Sequence, residues 1–185
     1  MDKTFLIGLI GSIILVTGAA WHEKKSPKHP THSIKNWLFA IGGFTMLAYS
    51  ILGYFEGGPI FFIFLQGLVG ISSILMMINA PHRVGISIIT LAGTALLIWS
   101  LTLFEDYSTV FFIFGLIGIG IGYTLTHKPF YRGIALTLGS ILIAVFSYIG
   151  ANWIFFWLNL FFAAFSAIYL IRGWKKRKTP KSKLG

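Results

Sequence analysis

The stretch Ile60-Phe61-Phe62-Ile63-Phe64-Leu65-Gln66-Gly67-Leu68-Val69-Gly70-Ile71-Ser72-Ser73-Ile74-Leu75-Met76-Met77-Ile78-Asn79 decides the class of fold. It holds no Lys, Arg, Asp, Glu or His, and it has the length of about 20 apolar residues that carries a helix across a bilayer. Six further stretches of the same kind flank it, at 4–21, 36–55, 85–103, 108–126, 133–149 and 152–172. The breaks between them hold turn chemistry. His22 to Lys35 contains Pro27 and Pro30, and Glu56-Gly57-Gly58-Pro59 is a tight turn. Ala80-Pro81-His82-Arg83, Glu105-Asp106, His127-Lys128-Pro129 and Gly150-Ala151-Asn152 follow. Proline and glycine end one helix and start the next. The pattern is that of an all-α membrane protein with seven transmembrane helices.

Composition agrees. Of 185 residues, 56% are hydrophobic and 11% charged, against roughly a quarter charged in soluble domains; the mean hydropathy is +0.80. Seven spans leave no room for a soluble domain, so residues 1–185 form a single integral membrane domain. The formal net charge of +10 invites a nucleic-acid partner, but the basic residues lie in loops on one side and in the segment 173–185. Nucleic acid is therefore excluded, and the lipid bilayer is the partner. With no cysteine, disulfides and thiolate metal sites are ruled out. Residues 4–21 follow only Lys3 and Asp2, without the basic start of a signal peptide, and are read as the first span.

Lys/Arg bias between spans sets orientation. Connectors after spans one, three, five and seven carry Lys24, Lys25, Lys28, Lys35, Arg83, Lys128, Arg132 and Arg172, and the end of the chain adds Lys175, Lys176, Arg177, Lys178, Lys181 and Lys183. The other face carries Lys3 with Asp2, Glu56, Glu105 and Asp106. The expected topology is N-terminus outside and C-terminus in the cytoplasm of a bacterial inner membrane, with 173–185 as a basic cytoplasmic tail. Trp21, Trp37, Tyr54, Tyr107, Tyr131, Trp153 and Trp174 fall near span ends, where aromatic residues anchor at headgroups. The basic cluster 174–178 suits anionic headgroups and orientation signalling equally.

The sequence also repeats. Gly8-Leu9-Ile10-Gly11 recurs as Gly115-Leu116-Ile117-Gly118, and Phe64-Leu65-Gln66 aligns with Trp157-Leu158-Asn159 at an offset of 93. That offset also sets Gly57 on Gly150 and Pro59 on Asn152. The division is 3+1+3: a first three-helix bundle at 4–79, a linker helix at 85–103 and a second bundle at 108–172. Both bundles start in the same direction, so the repeats are parallel. A two-helix repeat competes, pairing Phe61-Phe62-Ile63-Phe64 with Phe111-Phe112-Ile113-Phe114.

This plan, with an amide in each third helix, resembles the SWEET and nicotinamide-riboside (PnuC-type) transporter superfamily, the PQ-loop or MtN3 type. Residues 21–79, from Trp21-His22-Glu23-Lys24-Lys25 through Gly57-Gly58-Pro59-Ile60-Phe61 to Gln66, also resemble the small membrane domain associated with lipid-A-disaccharide synthase. There an Asp-Pro turn precedes a Gly-Gln pair; here Gly58 replaces the Asp and Leu65 the Gly. The resemblance implies two parallel bundles, a small solute as partner, and substrate contact by Gln66 and Asn159.

The spans hold no charged residue or histidine near their centres. Proton-coupled pumps need an intramembrane carboxylate or histidine, a retinal protein a lysine in its last span, and a haem anchor buried histidines. An enzyme is not expected, and neither a cofactor nor a metal. His22, His29 and His32, without cysteine or a second carboxylate, read as a solvated loop. Amides, hydroxyls and aromatics remain. Gln66 and Asn159 lie about seven residues into their helices, roughly 10 Å from the outer end; pseudo-symmetry faces them across the repeat interface. Each amide offers donors and an acceptor and also suits a bond to a neighbouring helix. Trp157, Trp99, Tyr49 and Tyr148 are candidates for stacking on a solute, or for packing. Gly8, Gly11, Gly67, Gly70, Gly115, Gly118 and Gly122 read as close helix packing. The function expected is a facilitative permease for a small neutral or weakly charged polar solute. The alternatives are a non-transporting subunit of a membrane complex, and the substrate-binding subunit of a vitamin importer; a homo-oligomer or partner subunit fits either.

Overall fold

The computed structural model describes residues 2–21, 29–104, 106–125 and 128–178, with side chains of the last helix to Ile171. Among these residues there are seven α-helices and no strand: α1 (Lys3–Ala20), α2 (Ile34–Phe55), α3 (Phe61–Met77), α4 (His82–Thr102), α5 (Ser108–Thr124), α6 (Pro129–Ile149) and α7 (Trp153–Lys178), with one 3-10 turn at Pro30–His32. Five of them, α1, α2, α4, α6 and α7, are long and apolar enough to cross a membrane. The other two, α3 and α5, are apolar and have 17 residues each.

Local chemistry places the helix ends. Asp2 caps α1 by accepting from Thr4 N, and Ser33 caps α2 by accepting from Asn36 N, each satisfying an amide with no partner inside the helix. Asp106 does the same before α5, accepting from Ser108 N and Thr109 N; its exposed carboxyl titrates below the ordinary range because the Ser108 hydroxyl also donates to it. Helices α2, α3 and α6 end alike. Gly58 N donates to Gly53 O, Ala80 N to Leu75 O and Asn152 N to Ser147 O, with Gly57, Asn79 and Ala151 at positive φ. This is the Schellman ending, which favours glycine or asparagine at the left-handed residue.

Several boundaries differ from the apolar runs. Helix α2 starts at Ile34, where Ser33 supplies the cap, and α4 starts at His82, just after Pro81. Helix α6 starts at Pro129, because proline at the first helical position gives up an amide that would be unpaired anyway. Helix α7 runs on to Lys178, so the first part of the expected tail 173–185 is helical; residues 179–185 lie outside the described residues. Most of the histidine-bearing loop, 22–28, lies outside them too, as does Glu105.

The helices form a ring in chain order. Each packs on the next, α7 closes the ring against α1, and α3 also touches α5. Among the described residues the backbones of α1 and α3 do not approach closely, nor do those of α5 and α7, so 3–77 and 108–171 each form an open arc of three helices. Glycines set the approach within each arc. A Cβ on Gly139 of α6 would lie 2.8 Å from Ile119 N, and one on Gly42 of α2 would lie 2.9 Å from Leu15 N. Gly8, Gly11, Gly115, Gly118 and Gly122 sit in these seams as expected, whereas Gly67 faces open space.

Large apolar side chains cover the outside, with Leu91 74% and Phe55 79% exposed. This is the surface of a protein whose surroundings are hydrocarbon. Buried hydroxyls bond within their own helices: Ser50 to Met46 O, Ser73 to Val69 O, Ser100 to Leu96 O and Ser147 to Ile143 O, at 2.7–2.9 Å. Such back-bonding is how a helix in an apolar medium hides a hydroxyl. Lys35, His82, Arg83, Lys128 and Arg132 mark one end of the ring, and Asp2, Glu56 and Asp106 the other.

A candidate binding cavity inside the ring

Because the arcs are open, space remains between them. A cavity of about 340 Å³ is lined by every helix except α4, and its size is that of ordinary small-molecule sites. Its inner end is set by α3 and α7. Leu65, Gln66 and Val69 come from α3, and Leu158, Asn159 and Phe162 from α7. Spacings of three and four residues set Leu65 and Gln66 each on a face shared with Val69, and Leu158 and Asn159 each on a face shared with Phe162. The other end is formed by the basic termini of α2, α6 and α7, with Lys35, Arg132 and Tyr169. A second cavity of about 360 Å³ runs towards α4, past Ser72, Ser73 and His82, and shares Lys35, Phe39, Val69, Tyr123 and Arg132 with the first. The two are branches of one vestibule.

Gln66 is 2% exposed and Asn159 5%. Asn159 donates through Nδ2 to Phe155 O at 2.9 Å. Gln66 Oε1 is buried with no hydrogen-bond partner. A buried acceptor in that state costs about 1–3 kcal/mol, and a donor brought by a ligand would remove the cost.

At the acidic end lies a third cavity, of about 300 Å³, lined by Thr4, Tyr49, Glu56, Asn152, Phe62 and Phe155 among others. Tyr49 donates to Asn152 Oδ1 at 3.2 Å, and Thr4 to Glu56 Oε1 at 2.6 Å. Between the cavities Phe62 and Phe155 stack face to face, centroids 4.1 Å apart and planes 3° apart. Phe61, Phe112 and Phe146 pack around them. One helical turn, about 6 Å, separates Phe62 from Gln66, so the barrier is thin. It is also dry, since Phe62 is 3% exposed and Phe155 fully buried.

Of the expected contact residues, Gln66 and Asn159 meet in the first cavity and Tyr49 lines the third. Trp157, Tyr148 and Trp99 do not join them. They are 52%, 59% and 53% exposed. Trp157 lies against Phe156 and Phe161 of its own helix, Tyr148 against Trp153 and Phe156, and Trp99 against Phe64. Their rings cover the outer surface, where amphipathic aromatics suit a membrane boundary. Lys35, Arg132 and Ser140 line the cavity without having been singled out as contacts.

The lining residues come in pairs. Phe62 and Phe155, Leu65 and Leu158, Gln66 and Asn159, and Val69 and Phe162 all keep the offset of 93. On α2 and α6 a second constant offset relates Lys35 to Arg132, Phe39 to Leu136, Gly42 to Gly139, Met46 to Ile143, Tyr49 to Phe146 and Ser50 to Ser147. Contacts follow the pairing: Tyr49 lies 5.7 Å from Phe155, and Phe146 lies 5.4 Å from Phe62. No family model matches the chain, and no curated protein or solved structure is significantly similar to it.

Proposed function

We propose that the chain is a facilitative permease for a small polar solute, with seven spans, the N-terminus outside and the basic end in the cytoplasm of a bacterial inner membrane. In this reading α1–α3 and α5–α7 are two parallel copies of one three-helix unit joined by α4, and solute crosses by alternating access between them. At 17 residues, α3 and α5 fall within the range that spans a bilayer. The paired residues of α2 with α6 and α3 with α7 support the repeat, and so does the matching contact of α1 with α7 and of α3 with α5.

The observation that carries the reading is Gln66 Oε1, buried and unpartnered at the closed end of a cavity that leads to the basic end. A subunit serving only to pack against others has no use for an unsatisfied acceptor beside an empty space. The Phe62–Phe155 stack is the barrier that must part for solute to reach the far side, and the related helices α3 and α7 are placed to part it.

Purified protein in liposomes tests the reading with a panel of sugars, polyols, nucleosides and small carboxylates, followed by stopped-flow or radiolabel flux. At least one class should enter saturably and faster than into protein-free vesicles, and Gln66→Leu and Asn159→Leu should each lower that flux at least tenfold. Flux unchanged in both variants overturns the site, and no protein-dependent flux for any class overturns the permease.

A further inference from the structure

We propose that the acidic end of the ring opens on one side only, where α1 meets α7, and that the hydrogen bond from Tyr49 to Asn152 is the clasp that holds that side shut. This rests on the permease reading above and names the gate which that reading needs. The two arcs approach each other at two seams, α1 with α7 and α3 with α5. The α3–α5 seam is backed by α4, which joins the two helices in the chain and packs against both. Among the described residues no connecting helix spans the α1–α7 seam. The arcs can part there while the other side serves as the hinge.

Side chains hold the free seam. The backbones of α2 and α7 do not approach closely, and Tyr49 crosses between them: its hydroxyl donates to Asn152 Oδ1 at 3.2 Å. Its ring lies over Gly8, where a Cβ would sit 2.7 Å from Tyr49 Cδ2 and 2.8 Å from Ile154 Cδ1. The bare glycine lets one ring bridge α1, α2 and α7. The same ring lies 5.7 Å from Phe155, which stacks on Phe62, so the clasp and the barrier are joined. At the basic end of this seam Tyr169 donates to Ala19 O at 3.4 Å. Both bonds are longer than the usual O–H···O distance, as suits contacts that must part.

The opposite seam has no counterpart. By the offsets given above, Phe146 stands in the place of Tyr49 and Pro59 in that of Asn152, and neither side chain carries a donor or an acceptor. Phe146 packs on Phe61, Phe62 and Phe112 instead. Asn152 can also release Tyr49 without losing its other role. Its Oδ1 accepts from Phe155 N at 3.2 Å and so caps α7. That cap remains when Tyr49 leaves, and the start of α7 does not fray. The freed hydroxyl faces the acidic-end cavity, which Tyr49 and Asn152 both line, and water there can replace the lost bond.

Full-length protein in lipid nanodiscs is spin-labelled in pairs: on Gly53→Cys with Trp153→Cys across the free seam, and on Pro59→Cys with Tyr107→Cys across the α3–α5 seam. Distances are read by pulsed dipolar spectroscopy, and the absence of natural cysteine keeps the labels unique. Tyr49→Phe removes the clasp and keeps the ring. Asn152→Ser keeps a capping oxygen on a side chain one bond too short for Tyr49. Each should raise the share of a longer distance between positions 53 and 153 about fivefold, the weight of one ordinary hydrogen bond. The distance between positions 59 and 107 should stay as in the parent. Parental distances in both variants, or lengthening across the α3–α5 seam, overturn the clasp. If Tyr49→Phe is not monodisperse, Asn152→Ser decides. Lengthening across the free seam in a protein that carries no solute keeps the clasp and sinks the permease; saturable flux with parental distances in both variants does the reverse.

Discussion

Gln66 and Asn159 are chemically similar side chains with different local solutions. Asn159 is short enough for Nδ2 to bond back to Phe155 O, four residues earlier, whereas Gln66 leaves Oε1 bare. Replacing Gln66 with Leu removes an unsatisfied acceptor and keeps the volume, so stability in detergent should hold or rise by up to about 1–3 kcal/mol even as ligand binding is lost. Thermal unfolding checks this, and a fall in melting temperature would show that Gln66 is a structural bond donor. Ala151 offers a second test. Its φ of 52° costs an L-residue about 1–2 kcal/mol, at a place where the α2–α3 turn uses Gly57. Ala151→Gly should stabilise by up to about 1 kcal/mol, read as a higher unfolding midpoint with flux unchanged. The two amides were legible in the sequence because a polar group inside an apolar run must be explained. Lys35 and Arg132 were not, since a basic residue at a span end signals orientation whichever way it faces. Nor was the facing of Trp157, Tyr148 and Trp99 legible: a large aromatic suits a lipid-facing surface and a cavity wall equally, and residue type carries no facing.

At the scale of elements, the α5–α6 seam is set by close backbone approach. A Cβ on Gly139 would meet Ile119 N at 2.8 Å and Gly115 O at 2.9 Å, both backbone atoms that no rotamer change can move. Gly139→Ala should force the two helices apart and destabilise by about 1–3 kcal/mol, the usual effect of overpacking. Gly67→Ala is the control. Nothing lies within 4 Å of a Cβ there, and alanine favours the helix by up to about 1 kcal/mol, so this variant should be at least as stable as the parent. Equal losses in both would mean that the seam does not set the helix approach. The sequence showed the glycine pattern but not which glycines meet a neighbour, because several faces of α3 carry small residues. Helix existence followed from the apolar runs. Helix ends did not, because Ser33, Pro81 and Pro129 act through caps and first-turn geometry that hydropathy ignores.

For the whole molecule, seven apolar runs and alternating charge made a helical membrane protein legible, but not the ring. Hydropathy says that each helix has apolar neighbours, and lipid and protein satisfy it alike. The ring matters because it leaves two separate spaces on either side of the Phe62–Phe155 stack, and a permease of this build should expose one space at a time. The absence of cysteine makes the test clean. Gly53 lines the acidic-end cavity with open space around its Cβ, and Ser166 lines the basic-end one. In sealed vesicles with the N-terminus outside, Gly53→Cys should react with an impermeant thiol reagent added outside. Ser166→Cys should react only when the reagent reaches the inside. Adding a transported solute should make Ser166→Cys reactive from outside as well, because the stack must part once per cycle. Reaction of both cysteines from one side in the absence of solute would mean that the phenylalanines do not form a barrier. Reaction of Ser166→Cys that solute never alters would leave a fixed vestibule, and alternating access would have to be abandoned.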